Sequence, residues 1–349
     1  MIPNIKRNEI KTNRLTMSYL EKGDPTKELI ILIHGNTSSN LFYLENMEEL
    51  CKDFHVIAPD LRGYGYSEKL PIDATGGLRV WSEDIRSFIQ ALSFTKKPHL
   101  LGWSMGGGIV MQYAIDYPSD IASITLVNPL SPFGYSGTNG EQGTSNNNYY
   151  SGTGAGTVNS SFVKALKYKV RDREVPTSAP AVLKSYFAPG YKIDPEWEEI
   201  FIDSMLHMEI GEDFYPGNSM ECPVWPFTSP GDKGIANAMS PKYVNLSGIT
   251  DIDPKPPILW FRGAKDSIVS DTSLLDIGYL GKLGYVPGWP GDEFFPAHPM
   301  VTQTRYIFEK YKENGGIYEE FIFENAGHGP NIEKPEEFNS KLLSFLKNI

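Results

Sequence analysis

The sequence predicts an α/β protein built on a mostly parallel sheet with helices on both faces. Short aliphatic runs recur along the chain, and the run at 29–33 contains only Leu and Ile. Such a run is typical of a strand that is buried on both faces of a parallel sheet. Segments with apolar residues at helical spacing, such as 81–92, alternate with these runs. This alternation of strands and helices predicts the fold class.

The predicted elements follow one another in a regular order. We predict strands at 15–20, 29–33, 54–58, 98–101, 121–127, 257–261 and 318–323. We predict helices at 81–92, 107–117, 302–311 and 335–346.

The alternation stops after the strand at 121–127. Residues 134–161 are rich in Gly, Ser, Thr and Asn and nearly free of aliphatic side chains, which predicts a loop or a locally disordered segment. Gly152, Gly154 and Gly156 superficially resemble a dinucleotide-binding fingerprint. No predicted strand precedes them, however, so we expect no nucleotide site there.

The next segment, 162–250, is richer in aromatic residues and Met, with scattered Pro and Gly. Short helices suit this composition better than strands. Its apolar residues form either the core of an inserted subdomain or the wall of an apolar ligand site.

Composition and charge exclude several classes of function. The chain has 349 residues, of which 40% are hydrophobic and 21% are charged, and its formal net charge is -11. This charge disfavours nucleic acid and anionic membranes as partners. No stretch is long enough to predict a membrane span, and residues 1–11 lack a signal-peptide core. With Cys51 and Cys222 interpreted as reduced structural thiols, we expect a cytoplasmic protein, and a mature secreted form stays open.

The pentapeptide Gly102-Trp103-Ser104-Met105-Gly106 lies between a predicted strand and a predicted helix. A serine at such a turn, with glycines two residues away on either side, is the nucleophile-elbow pattern. Glycines are required where the strand and the helix crowd together around a strained apex residue. The structural alternative is a glycine-rich turn with an incidental serine.

Three polar residues each follow the carboxyl end of a predicted strand: Ser104, Asp266 and His328. In an open parallel sheet these ends line one crevice, where ligands bind. A serine hydroxyl becomes an effective nucleophile when a histidine accepts its proton, and an acidic group orients that histidine. The order Ser, Asp, His along the chain agrees with one of the known serine hydrolase architectures.

The alternatives for each member are weaker. Four other histidines lie at strand beginnings or in insertions: His55, His99, His207 and His298. Asn128 follows the strand at 121–127, but an amide cannot act as the acid. Asp266 is therefore the leading candidate for the acid, with Asp271 in reserve.

Together these motifs resemble the α/β-hydrolase fold family of serine hydrolases, of the esterase and lactonase kind. The resemblance depends on Asp266 and four motifs: His34-Gly35-Asn36, the turn at 60–67, Gly102-Trp103-Ser104-Met105-Gly106-Gly107 and Gly327-His328-Gly329. The turn at 60–67 has a mainly structural interpretation.

The resemblance implies an eight-stranded, mostly parallel sheet flanked by helices, with a mainly helical lid inserted between strands six and seven. The expected organisation is a core from 1–128 and 254–349, with a lid at 129–253 that includes the loop 134–161.

The resemblance also implies an oxyanion hole from the backbone N–H groups of Met105 and Asn36. Trp103 and Thr37 are candidate substrate-binding residues, with packing under the elbow as the alternative for Trp103. No metal-binding signature or phosphate-binding loop is visible, so we expect no metal and no cofactor.

We therefore expect a hydrolase that acts through an acyl-enzyme, on a small-molecule ester or lactone of a fairly apolar acid. Serine at the elbow disfavours the epoxide-hydrolase and haloalkane-dehalogenase branches, which need a carboxylate nucleophile. Amide, thioester and carbon–carbon bond hydrolysis and perhydrolysis stay open, and so does a slow-turnover ligand receptor on the same fold. The oligomeric state also stays open.

Overall fold

A computed structural model describes residues 5–349, so the first four residues of the polar segment at 1–11 lie outside the described residues. One sheet dominates the fold and contains eight strands: β1 Arg7–Lys11, β2 Thr16–Lys22, β3 Leu29–Ile33, β4 His55–Pro59, β5 His99–Trp103, β6 Ser123–Val127, β7 Ile258–Gly263 and β8 Tyr318–Phe323. Their order across the sheet is β1-β2-β4-β3-β5-β6-β7-β8. This arrangement confirms the predicted fold class.

The pairing is parallel from β4 through β8, and β2 runs antiparallel to both β1 and β4. Every residue of β3, β4, β5 and β6 is buried. Burial on both faces explains why these strands are mostly apolar, and why β3 is apolar throughout. The carboxyl ends of the parallel strands therefore lie along one edge of the sheet.

Eleven α-helices are found within residues 5–349: α1 Leu44–Leu50, α2 Arg79–Leu92, α3 Met105–Asp116, α4 Ser160–Lys167, α5 Ala179–Leu183, α6 Pro195–Leu206, α7 Ile235–Ala238, α8 Ile277–Lys282, α9 Met300–Glu313, α10 Pro330–Glu333 and α11 Pro335–Leu346. Helix α3 packs on β5 and β6, α2 packs on α3, and α1 packs on α11. The sequence did not predict α1, α8, α10 or the polar edge strand β1, because these elements are short or carry no long apolar pattern.

The chain between β6 and β7 contains α4 to α7 and several short strands. Two of these strands, Thr138–Asn139 and Thr144–Ser145, pair antiparallel within the glycine-rich segment 134–161. The sequence predicted either a loop or a locally disordered segment here, and the structure shows a folded loop. Its small polar side chains are buried at four positions: Ser136, Thr138, Ser151 and Thr153.

The three glycines that resemble a nucleotide fingerprint lie against other parts of the chain. A Cβ atom would lie 2.5 Å from Phe295 at Gly152, 2.4 Å from Asn237 at Gly154 and 1.8 Å from Thr228 at Gly156. Close packing therefore accounts for the lack of side chains at these positions.

No helix between residues 5 and 349 is both long enough and apolar enough to cross a bilayer. Both cysteines, Cys51 and Cys222, are half-buried free thiols.

Candidate active site

Ser104 lies at the apex of the turn between β5 and α3, with φ 57° and ψ -121°. A non-glycine residue with positive φ is strained, and such strain is found disproportionately at functional sites. The flanking glycines make this turn possible. A Cβ atom at Gly102 would lie 2.2 Å from the Gly106 carbonyl oxygen, and one at Gly106 would lie 2.2 Å from the carbonyl oxygen of Ile33. We call residues 102–106 the elbow.

His328 and Asp266 form a buried pair beyond the ends of β8 and β7. The His328 Nδ1 atom lies 2.7 Å from Asp266 Oδ2, and their side chains are 3% and 1% exposed. Asp266 Oδ1 accepts hydrogen bonds from the backbone N–H groups of Ile268, at 2.7 Å, and Val269, at 3.0 Å. The contact with Asp266 assigns the ring proton to Nδ1, which leaves Nε2 of the neutral ring as an acceptor.

The imidazole of His328 lies beside the elbow, since its ring centroid is 5.4 Å from that of Trp103. Among the described residues, Ser104 Oγ has no hydrogen-bond partner within 3.5 Å. Hydrogen bonds between a nucleophile and its base are often long in unliganded structures and tighten when substrate binds.

The turn that follows β3, residues 34–38, packs directly against Ser104. A Cβ atom at Gly35 would lie 2.9 Å from Ser104 Cβ. Within the part of the chain that the structure describes, the backbone N–H groups of Asn36 and Met105 have no acceptor. Two unpaired N–H donors next to a serine are what an oxyanion hole requires. We call residues 34–38 the β3 turn.

His34 holds the β3 turn in place. Its Nε2 accepts a hydrogen bond from the Leu61 N–H at 3.0 Å, so Nδ1 carries the ring proton and donates to the Gly35 carbonyl at 2.8 Å. Burial lowers the pKa of His34 to about 4, which keeps the ring neutral near pH 7. Ser38 Oγ donates a second hydrogen bond to the Gly35 carbonyl at 2.8 Å.

The side chains of Asn36 and Thr37 are engaged by tyrosines. The Tyr64 hydroxyl donates to Asn36 Oδ1 at 2.7 Å, and the Tyr186 hydroxyl contacts Thr37 Oγ1. Burial raises the pKa of Tyr64 well above its usual value and that of Tyr186 to about 12, so both hydroxyls keep their protons. A substrate role for Thr37 stays a prediction.

Two side chains hold the His328 carbonyl. The Trp103 indole donates to this oxygen at 2.7 Å, and Asn128 Nδ2 donates to it at 2.8 Å and to the Gly327 carbonyl at 3.1 Å. Asn128 Oδ1 also accepts from the Gly263 N–H at 2.9 Å, which links β7 to residues 326–329, which we call the histidine loop. Trp103 is fully buried, which supports its packing interpretation. The sequence analysis considered Asn128 only as a possible acid and did not predict that it would hold the His328 carbonyl. Its position directly after β6, at the carboxyl edge of the sheet, was the signal that could have pointed to this role.

The remaining sequence candidates lie elsewhere. Asp271 caps α9, because its carboxylate accepts from the backbone N–H groups of Val301 at 2.8 Å and Thr302 at 3.1 Å. The other histidines hydrogen-bond to residues outside the elbow and the histidine loop: His55 to Glu21, His99 to Ser123, His207 to Asp203 and His298 to Gln303.

A separate cleft of about 500 Å³ contains none of the predicted site residues. It is lined by Asn146, Asn147, Pro223, Val224, Trp225, Phe227, Pro290, Phe294 and Phe295. In the described chain, no group of three or more His, Cys, Asp or Glu side chains is arranged to hold a metal ion. The hydrogen-bond geometry at the strand ends is therefore what marks the candidate site.

Comparison with known proteins agrees with the fold. The family model for the alpha/beta hydrolase fold matches residues 28–164, which include the β3 turn and the elbow. Two curated relatives are a monoacylglycerol lipase, ABHD6 of Bos taurus, and Lipase 1 of Psychrobacter immobilis. They are 33% and 34% identical over 113 and 111 residues, or 32% of this chain in each case. The matches span only 33% and 34% of the relatives' own lengths.

Solved structures match over nearly the whole chain at low identity. The carboxylesterase CesB (YbfK) from Bacillus subtilis has a TM-score of 0.61 and 16% identity, with 99% of this chain and 92% of that chain covered. An esterase from Exiguobacterium antarcticum has a TM-score of 0.58 and 20% identity, with 98% and 100% covered. The sheet, the elbow and these matches together show that the chain has the alpha/beta hydrolase fold.

Proposed function

We propose that this chain is a serine hydrolase that cleaves carboxylic esters of apolar substrates through an acyl-enzyme. Ser104 is the nucleophile, His328 the general base and acid, and Asp266 the residue that orients His328. The observation that carries the proposal is the combination of a strained Ser104 at the elbow with the buried pair of His328 and Asp266, 2.7 Å apart.

In the proposed reaction, Ser104 Oγ attacks the ester carbonyl carbon while His328 Nε2 takes the hydroxyl proton. Asp266 stabilises the imidazolium that forms, and the N–H groups of Met105 and Asn36 bind the negatively charged oxygen. His328 then donates its proton to the leaving alcohol. Water attacks the acyl-enzyme in the same manner and releases the acid.

Two kinds of observation support an apolar ester. The relatives are named as lipases and the structural neighbours as esterases. In addition, aromatic rings surround the elbow: Phe42 lies 5.2 Å from Trp103 and Tyr186 lies 6.0 Å from Trp103, measured between ring centroids. These buried rings make the surroundings of Ser104 apolar, and sites for small apolar molecules are typically built among such side chains. A lactone contains the same reacting group and is included as a test substrate.

We also propose that residues 129–253 form a lid over a core made from 1–128 and 254–349. The contact between Tyr186, in the proposed lid, and Thr37, in the β3 turn, supports this division.

The first experiment measures hydrolysis of p-nitrophenyl esters from acetate to palmitate and of a γ-lactone. Wild type is compared with Ser104→Ala and with Ser219→Ala, an exposed serine as a matched control. We expect Ser104→Ala to lower kcat by at least about 10⁴-fold, and Ser219→Ala to leave it unchanged.

A fluorophosphonate probe provides the second readout. We expect it to modify wild type at Ser104, identified by mass spectrometry of the labelled peptide, and not to modify Ser104→Ala. Full activity of a folded Ser104→Ala would contradict the proposal. Labelling of Ser104 without turnover of any ester would instead favour the slow-turnover receptor.

A further inference from the structure

The segment 186–188, between α5 and α6, contacts both halves of the candidate site. The Tyr186 carbonyl accepts hydrogen bonds from the backbone N–H groups of His328, at 2.7 Å, and Gly329, at 3.2 Å. The Tyr186 hydroxyl also donates to the Thr37 carbonyl at 3.3 Å. One short piece of chain therefore connects the histidine loop to the β3 turn. We call segment 186–188 the strap.

Glu333, the last residue of α10, joins the strap to the histidine loop. Its Oε1 accepts from the Gly327 N–H at 2.7 Å, and its Oε2 accepts from the Ala188 N–H at 2.7 Å. The residue is 6% exposed, so both bonds are shielded from water. Hydrogen bonds from an N–H group to an ionised carboxylate are among the stronger ones in proteins.

Gly327 permits the two backbones to approach closely. A Cβ atom at this position would lie 2.6 Å from the Ala188 nitrogen and 2.6 Å from the Phe187 carbonyl carbon. The strap and the histidine loop are thus in direct backbone contact, and their neighbouring N–H groups share one carboxylate. Without an acceptor between them, these buried N–H groups would be left unpaired.

We infer that Glu333 is a positioning residue, which holds His328 in place by tying the histidine loop to the strap. Glu333 does not touch the reacting atoms; it acts through the backbone N–H of Gly327, the residue before His328. The inference rests on the proposed function for its effect on catalysis. Its effect on the imidazole of His328 is independent of that function.

Glutamine is the informative substitution because it has the same shape. Its side chain has one acceptor oxygen, and the NH₂ group that replaces the second oxygen would face an N–H donor. Glu333→Gln therefore removes one of the two bonds. Glu337→Gln, on the exposed face of α11, is the matched control.

Ester hydrolysis is the first readout, measured below the temperature at which either variant begins to unfold. We expect Glu333→Gln to lower kcat about tenfold, the effect of about one hydrogen bond, with KM changed less than about twofold. Glu337→Gln should change neither constant. An unchanged kcat for a folded Glu333→Gln would overturn the inference.

A second readout does not depend on activity. The ring NMR signals of His328, assigned with a His328→Gln variant, should shift or broaden in Glu333→Gln and stay in place in Glu337→Gln. Unchanged His328 signals in Glu333→Gln would contradict positioning even if the proposed function is correct. Shifted signals in a protein that does not hydrolyse esters would support positioning and count against the proposed function.

Discussion

The elbow and the histidine loop, residues 326–329, both present a proposed catalytic side chain at a strand end, but they are held in different ways. At the elbow, Gly102 and Gly106 allow direct contact between backbones, and Gly106 also lies against β3. The histidine loop is held by groups from three distant parts of the chain, Trp103, Asn128 and Tyr186, and by Glu333, which follows it closely in sequence.

This difference indicates how each region should respond to mutation. The elbow depends on the absence of side chains, so any added atom must displace backbone. The histidine loop also has a close backbone contact, at Gly327, but several separate hydrogen bonds hold it. Loss of one of these bonds should leave the fold intact and weaken the position of His328. Three further tests separate these two modes, from the largest expected effect to the smallest.

Gly106→Ala tests the elbow. A Cβ atom at this position would lie 2.2 Å from the Ile33 carbonyl oxygen and 2.6 Å from that of His34, and neither backbone group can rotate away. We expect the free energy of unfolding to fall by about 3 kcal/mol, the upper end of the usual cost of overpacking, measured by urea denaturation. The matched control is Gly248→Ala, whose new Cβ atom would meet no atom closer than 3.8 Å. Equal stability of the two variants would contradict this account of the elbow.

A pH titration tests the β3 turn beside the elbow. The folded pKa of His34 is about 4, lowered by burial from 6.5. Between these values the unfolded chain binds a proton that the folded chain excludes, so the free energy of unfolding is highest above pH 6.5 and falls as the pH approaches 4. This group should contribute a fall of up to roughly 3 kcal/mol.

The measurement is urea unfolding of wild type and His34→Gln from pH 7 to pH 4. Glutamine does not titrate, so the variant should lose less stability across this range than wild type. Parallel stability curves for the two proteins would show that His34 is not the group responsible.

Asn128→Ala tests one partner of the histidine loop. The change removes the Nδ2 donor to the His328 carbonyl and leaves the Gly263 N–H without its acceptor. We expect kcat for ester hydrolysis to fall about tenfold while the protein stays folded. Asn148→Ala, at an exposed position, should leave kcat unchanged. An undiminished kcat in Asn128→Ala would show that Trp103 alone is sufficient to hold this carbonyl.

The same contrast explains what could be predicted from the sequence. The strands at 29–33 and 318–323 were predicted with the bounds that the structure shows. The first is buried throughout and carries its apolar signal in its own residues, whereas the second is mostly half-buried or exposed and was predicted from its run of aromatic and β-branched residues. Edge strand β1 was missed, since four of its five residues are polar and none is fully buried. The glycine-rich segment 134–161 has no apolar pattern, so its composition could not distinguish a folded loop from a disordered one.

The sequence by itself determined most strands of the sheet, the elbow and the position of Ser104, Asp266 and His328 at strand ends, because these depend on residues that are neighbours along the chain. The tertiary structure decided which groups surround them. The pairing of His328 with Asp266 joins residues 62 positions apart, and the bond from Ala188 to Glu333 spans 145 positions. A lone Glu or Asn has no local pattern that reveals such a partner, since the partner is chosen only when the strands and loops pack together.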